Sequence, residues 1–136
     1  MAPRHALVFG ASGITGWATC KELLASLQPY SFSSVIGVTL HPLSNEDSGI
    51  PKDSRLQIVS GIDLSLPTEQ VKDKLQNTKG ISRVTHVYYA SMAMREDPQE
   101  RVDINVDMLK AAVTATDELC PLEVFLIQTG SMVLIG

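Results

Sequence analysis

The sequence predicts an α/β chain: a doubly wound parallel sheet of five strands in the order 3-2-1-4-5, with helices on both faces. Two observations carry that prediction. Apolar runs of strand length alternate with amphipathic helical patterns along the chain, which requires parallel strands joined by right-handed crossovers. The first apolar run, Leu7-Val8-Phe9, also leads straight into Gly10, Gly13 and Gly16, spaced three apart, with a helical pattern directly after them.

Residues 5–9 read as the first strand, apolar enough to be buried on both faces. The first helix is expected over 14–27, stopping before Pro29, with Trp17, Cys20, Leu23, Leu24 and Leu27 on its apolar face. Residues 35–40 form the second strand, which Pro42 ends, and the polar stretch 44–51 is a loop. The third strand covers 55–60, with Leu56, Ile58 and Val59 as its apolar content. Ser65 and Pro67 signal a helix start, Val71 and Leu75 give that helix its core contacts, and residues 77–80 close it. The fourth strand is 84–89. Asp97-Pro98 opens the longest helix, where Val102, Val106, Leu109 and Val113 recur every three to four residues up to about Glu118; Pro121 forbids continuation. Residues 122–127 are the fifth strand, followed by Gln128-Thr129-Gly130 and a short apolar end.

A buried strand, a tight glycine turn and a helix start in that order make an anion site. Unpaired N–H groups and the positive end of the helix dipole point at whatever binds there. Gly10 permits the sharp turn, Gly13 lets the backbone approach a pyrophosphate, and Gly16 lets helix and strand pack closely. The competing reading is an ordinary strand–helix turn. Ligands in such sheets bind outside the carboxyl ends of the strands, at the switch point between strands 1 and 4. Five stretches should therefore converge on one crevice: 10–15, Leu40-His41, Asp63-Leu64, 90–92 and 128–130.

The tip of the second strand decides between the two nicotinamide dinucleotides, an acid favouring the ribose hydroxyl and an arginine the 2′-phosphate. Here it reads Thr39-Leu40-His41, with neither. His41 is a candidate phosphate contact, mainly when protonated, or else a plain loop histidine. The choice stays open, and the missing carboxylate leans toward NADP, with NAD as the alternative. Asp63 suits the exocyclic amine of adenine, the cap of the following short helix, or both. Tyr88 and Tyr89 are read as structural, one facing the core. Asn105 is expected to tie helix to strand by hydrogen bonds. Met92 and Met94 are candidates for an apolar lining, Met108 for core filling, and His86 for a satisfied strand histidine. No His/Cys/Asp/Glu set has metal spacing and nothing resembles a nucleophile elbow, so no catalytic or metal-binding residue is assigned.

The 136 residues fit one domain, with 44% apolar and 19% charged content, as in folded chains. A net charge of -4 without a basic cluster argues against nucleic acid, and no apolar run is long enough for a membrane span. Met1 to His5 lead at once into the first strand, leaving no room for a leader. Cys20 and Cys120, far apart in apolar contexts, read as free buried thiols of a reducing compartment, and the expected location is cytoplasmic.

The Gly10-x-x-Gly13-x-x-Gly16 form resembles the extended short-chain dehydrogenase/reductases. Residues 85–91 (Thr-His-Val-Tyr-Tyr-Ala-Ser) and 125–130 (Phe-Leu-Ile-Gln-Thr-Gly), with Gly37-Val38 leading to Pro42, narrow the likeness. They resemble the progesterone 5β-reductase/iridoid synthase-like group, nearest to fungal sirodesmin-cluster short-chain dehydrogenases. The resemblance runs over the whole chain but covers only the N-terminal part of that family's fold. It implies a Rossmann-type NAD(P)-binding domain over 1–136, with the C-terminal substrate-binding part missing. It puts Ser12, Gly13, Ile14 and Thr15 at the pyrophosphate, Leu40 and His41 at the 2′-phosphate, and Asp63 and Leu64 at the adenine. It puts Ser91 and Met92 at the strand-4 contact, and Gln128 and Thr129 beside the nicotinamide.

Two departures accompany the resemblance. The family's active-site lysine falls at Met132, a tyrosine usual two residues later falls at Leu134, and the catalytic tyrosine falls downstream of Gly136. The basic residue for the 2′-phosphate is missing as well. Hydride transfer to a carbonyl or enone needs a donor where negative charge develops, and lost general-acid help costs about 10²–10⁴-fold. The expectation is therefore a cofactor-binding portion of a reductase, inactive alone, meeting a small-molecule substrate only in a full-length form. The alternatives are a nucleotide-sensing or partner-docking module, which would use an exposed apolar face toward a partner or a second copy, and a tailoring reductase of secondary metabolism.

Overall fold

Ala6, Leu7, Val8 and Phe9 have no exposed surface at all, which makes their strand the centre of the molecule. The computed structural model describes residues 3–27 and 31–127. In chain order its elements are β1 (His5–Phe9), α1 (Ile14–Ala25), β2 (Ser34–Thr39), β3 (Leu56–Ser60) and α2 (Thr68–Gln76). A 3-10 turn (Ile81–Arg83), β4 (His86–Tyr89), α3 (Pro98–Leu119) and β5 (Val124–Ile127) follow. The strands pair in parallel in the order β3-β2-β1-β4-β5, as predicted.

Alternation along β1 splits the core into two layers. Ala6 and Val8 pack on Cys20 and Leu23 of α1, with Phe32, Val35, Ile50 and Leu56. Leu7 and Phe9 face the other way, onto Val71 and Leu75 of α2 and Met108, Ala111, Ala112 and Ala115 of α3. Helices thus cover both faces of the sheet. Each fully buried Leu, Val or Phe side chain contributes about 1.5–3 kcal/mol relative to exposure.

Two helices depart from expectation. Helix α1 ends at Ala25, and Leu27 is 81% exposed instead of on the apolar face. Arg55, just before β3, supplies the stop. Its Nη2 donates to the Leu24 carbonyl at 2.7 Å and its Nη1 to the Phe32 carbonyl at 3.1 Å, while Asp53 holds the guanidinium at 2.7 Å. Ser26 adopts an extended conformation directly after.

In α3, Val102, Val106 and Val113 are exposed, and the face on the sheet is Met108, Ala111, Ala112, Ala115 and Thr116. Small residues let that helix lie close to the sheet, and a valine stripe would hold it away. Lys72 of α2 pairs with Glu118 at 2.8 Å, so the Glu118 flank faces α2. At about 100° per residue the valine stripe falls on the opposite flank, toward β5. Ile127 of β5 on the same face, and Val124 and Leu126 on the face that α1 covers, are exposed too, leaving apolar surface uncovered on both sides of this edge strand among the described residues.

Strand starts also shift. The 3-10 turn, closed by Val84 N–H donating to the Ile81 carbonyl, delays β4 to His86, and β5 begins at Val124. Among the described residues no helix is long and apolar enough to cross a membrane, and no group of three or more His, Cys, Asp or Glu could hold a metal.

Candidate functional site

Gly10 turns the chain off the end of β1 at φ 84°, where L side chains are strained. A Cβ there would also sit 2.7 Å from the Ala90 carbonyl oxygen. The N–H groups of Gly10 and Ala11 both donate to the Val38 carbonyl at 3.1 Å, which ties the turn to the end of β2. A Cβ on Gly16 would run into the Gly10 carbonyl and come within 2.9 Å of Ala11 Cα, so only glycine lets α1 start this close to β1. Gly13 differs. Its φ is -81°, and a Cβ there would meet only the Gly10 oxygen at 3.5 Å, an ordinary contact. No atom of the described residues requires glycine at position 13, whereas a ligand lying against the backbone would.

The head of α1 is electrostatically open. Gly13 N–H closes the turn onto the Gly10 carbonyl at 3.1 Å, and Trp17 N–H takes the Gly13 carbonyl at 2.8 Å. Among the described residues, the amides of Ser12, Ile14, Thr15 and Gly16 donate to no protein acceptor. No side chain caps the helix and no acidic residue stands in its first turn, so the positive end of the dipole is not neutralised.

Beside this turn a cleft of about 590 Å³ opens at the carboxyl ends of the strands. It brings together Gly10, Ser12 and Gly13, Leu40 and His41 after β2, Asp63 and Leu64 after β3, and Ser91 and Met92 after β4. Ile14, Thr15 and Gly16 lie outside its lining: Gly16 is buried under the turn, while Ile14, 87% exposed, and Thr15 stand at the open head of the helix. Gln128 and Thr129, and the positions 132 and 134 that carry the family departures, lie outside the described residues.

The β2 tip is held from β3. Buried Thr39 donates its hydroxyl to the His41 carbonyl at 2.8 Å and can accept from Ser60 Oγ at 3.0 Å, while Gly61 N–H takes the Leu40 carbonyl at 3.1 Å. Asp63 does not cap α2. Its Oδ1 accepts from Ser65 N–H at 2.9 Å and Ser65 Oγ at 2.6 Å, closing a turn, and α2 starts later, after Pro67. The intervening leucine and proline put the helix out of reach of that carboxylate.

Asn105 forms the tie expected of it, but to the loop after β4 rather than to the strand. Its Oδ1 accepts from Ala93 N–H, and its Nδ2 donates to the Ala93 and Arg101 carbonyls, each at 2.8 Å. Tyr88 meets the Phe32 ring edge-on, and Tyr89 packs between Phe9 and Phe125, so both tyrosines contribute to packing. The Tyr89 hydroxyl is buried without a partner among the described residues, and burial pushes its pKa up to about 12. Met108 fills the core, as expected, and also reaches the cleft, whereas Met94 is exposed and outside its lining.

The sequence reading missed Arg95 and Ile104, which line the same cleft. The Asp97-Pro98 helix start was the available signal. It makes 90–96 a loop at the carboxyl end of the sheet, where any side chain is a candidate.

Comparisons with known proteins agree with this layout. The PRISE-like Rossmann-fold domain matches residues 6–134. The chain is 41% identical over 117 residues to the short chain dehydrogenase sirR of Leptosphaeria maculans, covering 85% of this chain and 29% of that protein. It is 42% identical over 132 residues to the short chain dehydrogenase ausT of Aspergillus calidoustus, covering 93% and 32%. Among solved structures, the MalC reductase/Diels-Alderase of Malbranchea aurantiaca has a TM-score of 0.68 at 12% identity, covering 96% of this chain and 58% of that one. An NADPH-bound carbonyl reductase from chicken fatty liver has a TM-score of 0.65 at 15% identity, covering 88% and 49%. The chain spans about a third of the length of the curated relatives it matches. A glycine turn of this geometry on this strand order, with that match along nearly its whole length, makes the chain a member of the PRISE-like Rossmann-fold domain family.

Proposed function

We propose that this chain binds a nicotinamide dinucleotide and serves as the cofactor half of a carbonyl or enone reductase. The observation that carries the reading is the row of amides at the head of α1 that find no acceptor among the described residues, beside a glycine that no atom of those residues demands. A pyrophosphate supplies the acceptors those amides lack. The cleft volume lies within the range of about 300–1,000 Å³ usual for small-ligand sites, which fits the group.

In this reading Ser12, Gly13, Ile14 and Thr15 hold the pyrophosphate, and the ribose lies at Leu40 and His41. Asp63 and Leu64 border the adenine, while Ser91 and Met92 lie toward the nicotinamide. The bound cofactor supplies the hydride. Members of the family stabilise the developing oxyanion with a tyrosine and a lysine, and Met132 occupies the lysine position. These 136 residues are therefore expected to bind without reducing, and the substrate pocket to belong to the two thirds of such a protein that the match does not span. The exposed valine flank of α3 on one face of the sheet, and Val124 and Leu126 of edge strand β5 on the other, are apolar surfaces on which that remainder, a partner or a second copy would pack. The fungal relatives favour a tailoring reductase of secondary metabolism as the parent enzyme.

Titration calorimetry with NADPH and NADH tests the reading. Saturable binding of at least one, competed by ADP, is expected. Heats indistinguishable from dilution for both would refute it. Reduction of a simple enone by the purified chain with NADPH would refute the claim of inactivity and leave binding intact.

A further inference from the structure

The tip of β2 lacks the basic residue that would hold a 2′-phosphate, yet the cleft does not lack a cation. Arg95 lines it from the loop after β4, on the wall opposite the β2 and β3 tips. Its Nη1 donates to the Met94 carbonyl at 2.8 Å, and among the described residues it is in no ion pair. That leaves most of a five-donor guanidinium fork unspent.

The loop bearing it is fixed at both ends. Asn105 holds both backbone polar groups of Ala93, two residues before Arg95, and Asp97 Oδ2 accepts from Glu100 N–H at 2.9 Å, two residues after. The lining carries a single carboxylate, Asp63, and Ser65 engages it within its own turn. The cleft lining thus holds one arginine and one carboxylate that its own turn has engaged, beside the positive head of α1.

Resting on the dinucleotide reading above, we propose that Arg95 is the specificity-determining residue of this site. It reaches across the cleft to the 2′-phosphate of NADPH and does the work that the β2 tip does elsewhere. The ribose 2′ position lies at the β2 tip, which lines the same cleft. A phosphate dianion there accepts two parallel N–H bonds from a guanidinium, a geometry that an ammonium cannot reproduce. NADH offers a neutral hydroxyl and gains little from the same group.

The experiment titrates the native chain, Arg95→Ala and Arg95→Lys with NADPH and NADH, and with adenosine 2′,5′-bisphosphate and AMP as fragments. Arg95 is exposed, so its variants should fold, and circular dichroism checks that they do. Arg95→Ala should weaken NADPH and the bisphosphate by roughly tenfold or more, as expected for charge-assisted hydrogen bonds, and NADH and AMP by less than about twofold. Arg95→Lys should recover part of the loss. Equal weakening of NADPH and NADH would place Arg95 on the shared pyrophosphate and overturn the assignment, as would an unchanged NADPH affinity. A native chain that bound NADH but not NADPH would sink the assignment and leave the dinucleotide reading standing. One that bound neither would sink both.

Discussion

Alanine at Gly13 and alanine at Gly16 should have opposite consequences, though the two glycines belong to one motif. A Cβ at position 16 meets the Gly10 carbonyl and Ala11 Cα, both backbone atoms that no rotamer change can move aside. Overpacking of this kind costs about 1–3 kcal/mol, occasionally more. The rigid obstacle puts Gly16→Ala at about 3 kcal/mol. With urea slopes of about 1–3 kcal/mol/M, its unfolding midpoint should fall by on the order of 1–3 M.

At position 13 a Cβ makes only an ordinary contact with the Gly10 oxygen at 3.5 Å, and φ of -81° suits alanine. The lower entropy of its unfolded chain adds about 0.4–1 kcal/mol, and the poorer helix cap removes a similar amount. Net stability should move by less than about 1 kcal/mol. Binding should not survive so well: a methyl in the path of the pyrophosphate should weaken NADPH at least tenfold, about 1.4 kcal/mol. Urea denaturation followed by circular dichroism, and calorimetric titration of the same samples, read both quantities. An unchanged midpoint for Gly16→Ala would show that the turn is looser than described. Unchanged NADPH affinity in Gly13→Ala would show that the phosphates lie elsewhere.

Other perturbations follow from the same contacts. Tyr89→Phe deletes a buried hydroxyl that has no partner among the described residues, so it should leave stability unchanged or raise it by up to about 1–3 kcal/mol; a marked fall in the urea midpoint would mean that the hydroxyl is bonded. Burial first, then the Arg83 charge, lowers the pKa of His5, and burial likewise lowers that of His86 despite Glu123. Both are then more readily protonated unfolded than folded. Stability should be full above about pH 6.5, the ordinary histidine value, and should decline as pH falls below it. A His5→Gln/His86→Gln variant should flatten that decline, and an equal slope in the variant would exonerate both. Burial pushes the Cys20 thiol up to about 12 and the Cys120 thiol up to about 11. Neither should react with a thiol reagent at pH 8 until urea unfolds the chain, and prompt labelling of the native form would contradict that.

The topology was legible because each strand carries its own apolar run and the glycine spacing marks the one turn where backbone must touch backbone. What the sequence concealed was partnership across distance. Val102, Val106 and Val113 have the spacing of a core stripe, but the sheet accepted the alanine face instead, because close helix–sheet approach favours small side chains. Asp63 stands before a helix and reads as its cap, yet Ser65 captures it first, and only the folded turn reveals that competition. At the site, the glycine turn and the strand tips were foreseeable from topology. Arg95 was not, since a loop residue has no period and its place on the cleft wall depends on the anchor that Asn105 provides.

The guanidinium of Arg55 grips the chain on both sides of the α1–β2 connection, at the Leu24 and Phe32 carbonyls. The anchorage of that crossover thus resides in β3's approach, outside the segment being spanned. Variation in the number of residues between 25 and 32 should be cheap, because the added closure entropy grows only logarithmically with length. Grafts or tags are best inserted there, provided position 55 keeps its arginine.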